Sequence, residues 1–375
     1  MLCLLLATSA CRFEWSSDDK GEDDTQHHSA TAVATARPDP LAARDPAPGV
    51  TPDPALADDR PRPVMQLQVV LDRLGFTPGV VDGESGMSTR NALAGFQESR
   101  GLPVTGEADS ATRQALAQWS NIPATRVVTI PADFAAGPFQ PTPPRPEDQA
   151  RLSELGYQSL DEKLAERFHT TPETLLQLNP GSIEAGQSAP AAPAVSHFRA
   201  GQRIRVPNVG TDQIDPAAVA DTRWRNTLAT LGVASSQPQA DRIVVSKSHG
   251  TLKAYDAAGH LIATYTATMG SAHDPLPLGA WKVVGVAHNP DFAFNPELLW
   301  DVPDTATKQH LPPGPNGPVG VVWIKLDKPH YGIHGTPEPA TIGRAQSHGC
   351  VRLTNWDAAR LAQMVRAGAA VLFEA

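Results

Sequence analysis

Ile342-Gly-Arg-Ala-Gln-Ser-His-Gly-Cys-Val-Arg-Leu-Thr354 holds the only cysteine of this 375-residue chain after Cys11. Just ahead of it, Tyr331-Gly-Ile-His-Gly-Thr336 supplies a histidine. A thiol is a weak nucleophile until it loses its proton, and a neighbouring imidazole can take that proton and stabilise the thiolate. His334 and His348 are the two candidates for that imidazole. Gly349 permits an unusual backbone conformation beside Cys350 and leaves room for substrate. Backbone N–H groups at Gly349 and Cys350 are candidates to face a developing oxyanion. On these residues alone, the cluster also reads as a buried structural thiol beside two loop histidines.

Around these loops the pattern is one of strands. Arg242–Lys247, Thr251–Tyr255, Leu261–Thr268, Trp281–Ala287 and Val319–Lys325 are β-rich runs, with Gly250 and Gly259 splitting the first three. Short strands with Gly/Pro turns predict a mainly-β, sandwich-like core over residues 241–375. One helix follows. Thr354-Asn-Trp-Asp357 is a capping-box-like start, and Leu361, Met364 and Val365 form its buried stripe. Trp300 and Trp323 sit among apolar neighbours and are expected to pack the core.

His334-Gly-Thr336 together with Ser347-His-Gly-Cys-Val-Arg352 resembles the signature of the L,D-transpeptidases with a YkuD-type catalytic domain. Pro275-Leu-Pro-Leu-Gly-Ala-Trp281 and Gly314-Pro-Asn-Gly-Pro-Val-Gly320 resemble two further stretches of that family, in the same order. The departures are small: Leu276-Pro277 replaces Thr-Pro, Trp281 replaces Phe, and Val319 replaces Leu. The resemblance implies that Cys350 is the nucleophile, that His334 exchanges the proton, and that the Gly335 carbonyl orients His334. It further implies that Ser347, His348, Gly349 and Arg352 frame the motif loop and face substrate. Arg352 is suited to a substrate carboxylate through its planar fork.

The reaction so implied is peptidoglycan crosslinking. Cys350 is acylated by a tetrapeptide stem with loss of D-Ala, and a stem amine resolves the thioester to give a 3→3 crosslink. No metal or organic cofactor is implied. Water as acceptor would make the chain a carboxypeptidase or endopeptidase, and a protein lysine would make it an anchoring enzyme. A zinc-dependent hydrolase using His334, His348 and Cys350 is a more distant alternative, because His348-x-Cys350 lacks a familiar zinc spacing.

Upstream, residues 64–120 open with Met65–Leu74, which has helical apolar spacing and stops at Gly75. A repeat follows at an offset of 23 residues: Val81–Leu93 and Val104–Leu116 share seven of thirteen positions. Two copies predict two similar turn–helix units in one small bundle. The segment resembles the all-α, three-helix peptidoglycan-binding module, carried by Leu74-Gly-Phe76, Val81-Asp-Gly83, Thr89-Arg90, Phe96-Gln97, Gly101-Leu102 and Thr112.

Residues 121–150 read as a Pro-rich linker, and residues 209–240 as a linker. Between them, residues 151–208 contain an amphipathic stretch at Leu160–Phe168 and a second helix capped by Thr171 with Pro172 at its first position. Ala200–Pro207 reads as a strand. This order is similar to a divergent α+β LysM glycan-binding module, with Ala185–Ala194 as an insertion and no strand evident ahead of the first helix.

Residues 1–11 resemble the end of a lipoprotein signal cut before Cys11, whose sulfur would carry lipid. Such a chain is expected in the periplasm, tethered to the outer membrane and monomeric. Residues 12–63 form a linker in which eight prolines fall between Pro38 and Pro63, a composition that cannot bury enough surface to order itself. The net charge of −9 argues against a nucleic-acid partner. Peptidoglycan stems and glycan strands are the partners expected.

Overall fold

The computed structural model describes residues 60–182, 196–209, 214–298, 302 and 306–375. Cys11, Trp300, nearly all of the 12–63 linker and the Ala185–Ala194 insertion lie outside the described residues.

The first region is helical: α1 (Pro63–Leu74), a two-residue strand β1 (Phe76–Thr77), α2 (Met87–Ser99) and α3 (Ser110–Leu116). Its repeat is written in hydrogen bonds. Gln68 donates to Asp82 Oδ1, to the Glu84 carbonyl and to Thr89 Oγ1, while accepting from Gly83 N. Gln97 repeats the arrangement, donating to Thr105 Oγ1, the Glu107 carbonyl and Thr112 Oγ1, and accepting from Gly106 N. Each buried amide thus clamps one turn–helix loop. The shared Thr and Gly residues of the two copies serve that clamp.

This region is not a separate bead. Its core of Leu71, Leu74, Phe76, Leu93, Phe96 and Trp119 includes Leu261 from the β domain. β1 adds to the large sheet in parallel register with Thr264 and Tyr265. α2 lies directly on the sheet at Gly95, where a Cβ would stand 2.3 Å from Thr264 Oγ1.

The second region contains β2 (Thr125–Thr129), the short α4 (Pro146–Gln149), α5 (Leu160–Arg167), α6 (Pro172–Leu178) and β3 (Arg203–Pro207). β2 pairs antiparallel with β3, from Thr125 opposite Pro207 to Thr129 opposite Arg203. Residues 121–150 are therefore not only a linker: they supply the first strand, and the one-turn α4, of a unit in which two paired strands enclose the helices α5 and α6. Arg126-Val-Val128 is a short β-branched run enclosed by Pro123 and Pro131, and the prolines dominate its composition.

Residues 209–240 also depart from expectation. They carry α7 (Thr222–Leu231), capped by Asp221, which accepts from the N–H groups of Arg223 and Trp224. Trp224, Leu228 and Leu231 lie at helical spacing on one face and join the main core.

The last region runs β4 (Arg242–Ser246), β5 (Thr251–Tyr255), β6 (Leu261–Thr266), β7 (Thr268–Met269), β8 (Gly279–His288), β9 (Phe292–Phe294), β10 (Gln309–Leu311), β11 (Val322–Leu326), β12 (Gly332–His334), β13 (Val351–Arg352), α8 (Asn355–Met364) and β14 (Ala370–Glu374). The large sheet has the order β1-β6-β5-β4-β14-β8-β11-β12-β13-β7. β8 belongs to both halves, pairing with β14 through residues 279–282 and with β11 from Val283 to His288. β6 and β7 stand toward opposite ends of this order, yet only Ala267 separates them in sequence. The sheet therefore folds over on itself, in the sandwich-like manner expected. Ile243, Leu252, Tyr265, Ile324, Ile333, Trp356, Leu361 and Phe373 fill the space enclosed.

Candidate active site

β12 and β13 run side by side in parallel, with Ile333 opposite Val351 and His334 opposite Arg352. His334 thus ends one strand and Cys350 directly precedes its neighbour. Both side chains are buried, at 4% and 2% exposure.

Three local devices hold the cysteine loop. Ser347 Oγ accepts from Gly270 N at 2.6 Å and donates to the Cys350 carbonyl at 2.6 Å, closing a tight loop over three residues. Gly349 has φ of +96°, a left-handed conformation that disfavours any side chain. The Tyr331 ring packs against it, so that a Cβ there would lie 2.7 Å from the ring. The Tyr331 ring fills the space on the side of Gly349 where a side chain would stand. The buried Ser347 hydroxyl is bonded to backbone on both sides and so frames the loop.

His334 is oriented by its own chain. Nδ1 lies 2.7 Å from the Gly335 carbonyl oxygen. A carbonyl only accepts, so Nδ1 carries the proton and Nε2 keeps its lone pair in the neutral ring. Burial, and then the Arg352 charge, lower the imidazole to about 3, against the weaker support of the Gly335 carbonyl. At neutral pH the ring is an uncharged base. Trp323, expected only as core, stacks on His334 at 5.4 Å and 22° and belongs to the apolar cluster around Cys350. Leu155, Phe292, Phe294, Leu311 and Val319 complete that cluster.

A family profile described as "L,D-transpeptidase catalytic domain" matches residues 240–372. The "Putative L,D-transpeptidase YkuD" of Bacillus licheniformis is 30% identical over 210 residues, covering 56% of this chain and 90% of the relative. The chain belongs to the L,D-transpeptidase family. It is an acyltransferase with a catalytic cysteine, and peptidoglycan is its substrate. A relative of the same name from Bacillus subtilis is 28% identical over 208 residues, 56% of this chain and 89% of that one. A second profile, described as "Putative peptidoglycan binding domain", matches residues 60–116. Among solved structures, the L,D-transpeptidase from Mycobacterium smegmatis matches at 21% identity and a TM-score of 0.29. That match covers 36% of this chain and 59% of the other.

In this L,D-transpeptidase, Arg352 is half-buried, with Nη1 donating to the Gln346 carbonyl at 3.4 Å. His348 is half-buried on the same loop. Among the described residues, no group of three His, Cys, Asp or Glu side chains converges to hold a metal ion, so the zinc alternative finds no ligand set there.

Sequence reading missed Asn355, taken only as part of a helix start. Its buried Oδ1 accepts from Val321 N at 3.3 Å and touches Gly335 and Gly320, where a Cβ would lie 2.2 and 2.0 Å away. The two glycines were quoted in the motifs, and their lack of a side chain was the available signal.

Proposed function

We propose that Cys350 is the nucleophile and His334 the proton carrier of this L,D-transpeptidase. The observation that carries this reading is the Nδ1–H bond to Gly335, which leaves Nε2 as the basic nitrogen. Cys350 gives its proton to Nε2, and Sγ attacks the carbonyl carbon of the third stem residue. Positive charge on the ring is costly beside Arg352 and in a buried site, so it is tolerated only while the sulfur or the oxyanion supplies compensating negative charge. Backbone N–H groups of Gly349 and Cys350 stabilise that oxyanion. The C–N bond breaks, the D-Ala nitrogen takes the proton from Nε2, and a thioester remains. An acceptor amine then attacks, gives its proton to Nε2, and the thiol is restored as the 3→3 bond forms.

The two paired strands enclosing α5 and α6 in the second region support a LysM-like glycan-binding role. A cleft of about 260 Å³ lies where all three regions meet. Asp82 and Glu84 line it from the first, Glu173 and Gln177 from the second, and Arg344 from the loop that leads to Cys350. A polymer held by the helical regions would lie against residues 339–344, the segment between His334 and Cys350 in sequence. A lipid on Cys11, with residues 12–63 as spacer, would keep the enzyme at the outer membrane facing the periplasm.

Product analysis by mass spectrometry tests the chemistry. Disaccharide-tetrapeptide incubated with the enzyme should give a 3→3 dimer, and none with Cys350→Ala. Tripeptide alone, still dependent on Cys350, would make water the acceptor. A dimer formed by Cys350→Ala would remove Cys350 from the mechanism.

A further inference from the structure

α5 of the second region reaches His334 through two buried side chains. Tyr157 Oη donates to Glu166 Oε2 at 2.9 Å, and Asn355 Nδ2 donates to Glu166 Oε1 at 2.8 Å. Glu166 is 4% exposed and Asn355 fully buried. The same Asn355 amide donates to the Pro315 carbonyl at 3.1 Å and accepts from Val321 N. Its oxygen lies against Gly335 so closely that a Cβ there would be 2.2 Å away. The Gly335 carbonyl, in turn, is the acceptor for His334 Nδ1. Carboxyl, amide, glycine and imidazole therefore form one packed series running from the second region to the catalytic base.

We propose that Glu166 is a positioning residue for His334, acting through Asn355 and the Gly335 peptide. The glycan-binding unit then completes the active site and does more than tether it. An aliphatic side chain would fill this buried space at lower cost than a carboxyl. What a carboxyl adds is an acceptor that fixes the Asn355 amide, and with it the face presented to Gly335. Small displacements of a catalytic group cost rate far more than binding, up to about 100-fold for 1 Å. The inference rests on His334 being the base.

The test compares Glu166→Gln, which keeps a carbonyl acceptor for Asn355, with Glu166→Leu, which keeps the volume and removes the acceptor. Three measurements are made on the full chain: kcat and KM for crosslinking, thermal unfolding, and the pH profile of iodoacetamide labelling read at the Cys350 peptide. Glu166→Leu should lower kcat by about 10- to 100-fold with KM within about twofold, and should shift the labelling profile. Glu166→Gln should restore both to within about threefold. A folded Glu166→Leu with parental kcat and labelling would overturn the proposal. So would equal losses in both variants that track their loss of thermal stability. If Glu166→Leu does not fold, Tyr157→Phe carries the test through the same series. A fall in kcat of at least about threefold at constant KM supports the proposal, and an unchanged kcat overturns it. His334→Ala is the control: labelling that ignores His334 removes the base itself, whereas labelling that depends on His334 but not on Glu166 removes only this inference.

Discussion

Arg360 of α8 grips Asp72 of α1 through both ends of its guanidinium, at 2.9 and 2.8 Å, with both side chains buried. Burial alone would raise the Asp72 carboxyl, but the charge of Arg360 holds it well below the usual carboxylate range. His169, from the second region, donates Nε2–H to the Leu231 carbonyl at 2.9 Å and stacks on Trp356 at 5.2 Å. One cluster thus binds the helical region, the second region and the β domain. Breaking one side of such a pair leaves an uncompensated buried charge, at a cost of about 3–5 kcal/mol. Asp72→Ala should lower the unfolding temperature by many degrees in calorimetry. Because the regions share this cluster and their cores, residues 60–375 should unfold in one transition. Separate transitions in the unmodified chain would contradict that.

Stability should fall as pH rises through the neutral range. Burial first, and then the Glu162 charge, push Glu166 to about 8, against the Asn355 and Tyr157 bonds. Burial, and then the Asp72 charge, push Asp357 to about 7, against Arg360 and Thr77. Both stay protonated in the folded chain after the unfolded chain has ionised near 4 to 4.5, so each loses stability with rising pH at up to about 1.4 kcal/mol per unit. His334 and His169 act in the opposite sense, since burial lowers both. Their contribution rises with pH only until the unfolded histidine titrates near 6.5. Above that only the carboxyls remain, so unfolding by urea should become easier from about pH 6.5 to 8. Glu166→Gln should flatten the segment above pH 7. A flat profile in the unmodified chain would oppose these protonation states.

Gly349→Ala tests the fit of the cysteine loop. The added methyl meets the Tyr331 ring at 2.7 Å in a backbone conformation of φ +96°. The loop must shift, and a shift near the nucleophile should cost about 100-fold in kcat/KM, with global unfolding changed by no more than a few kcal/mol. Activity within threefold of the parent would mean that the loop tolerates displacement.

Much of this arrangement is legible in sequence, and what is not has a common cause. Runs such as Ile243-Val-Val245 and Ile262–Tyr265 announce strands because β-branched side chains repeat over several positions. Cys350 and His334 announce themselves by chemistry. β2 was hidden by its flanking prolines, and β12 and β13 are too short to show a period. Asp72 and Glu166 sit on short amphipathic helices, and nothing local separates a solvated carboxyl from one paired across the fold. Asn355 reads as a cap neighbour for the same reason. Contacts between regions depend on three-dimensional proximity, which neither periodicity nor propensity encodes.

Arg352→Gln isolates the electrostatics of His334, the proposed base. His334 is lowered chiefly by burial and next by the Arg352 charge, whereas the Gly335 carbonyl raises it. Removing the guanidinium should therefore raise the imidazole from its value of about 3, and Arg352→Lys, which keeps the charge, should raise it less. For a base that works unprotonated, the acid limb of kcat/KM lies where the free enzyme's imidazole becomes protonated. That limb should move to higher pH in Arg352→Gln and stay near its parental position in Arg352→Lys. An acid limb that moves equally in both would point instead to the fork geometry of Arg352, and hence to its contact with a substrate carboxylate. A limb that moves in neither would mean that His334 does not set it.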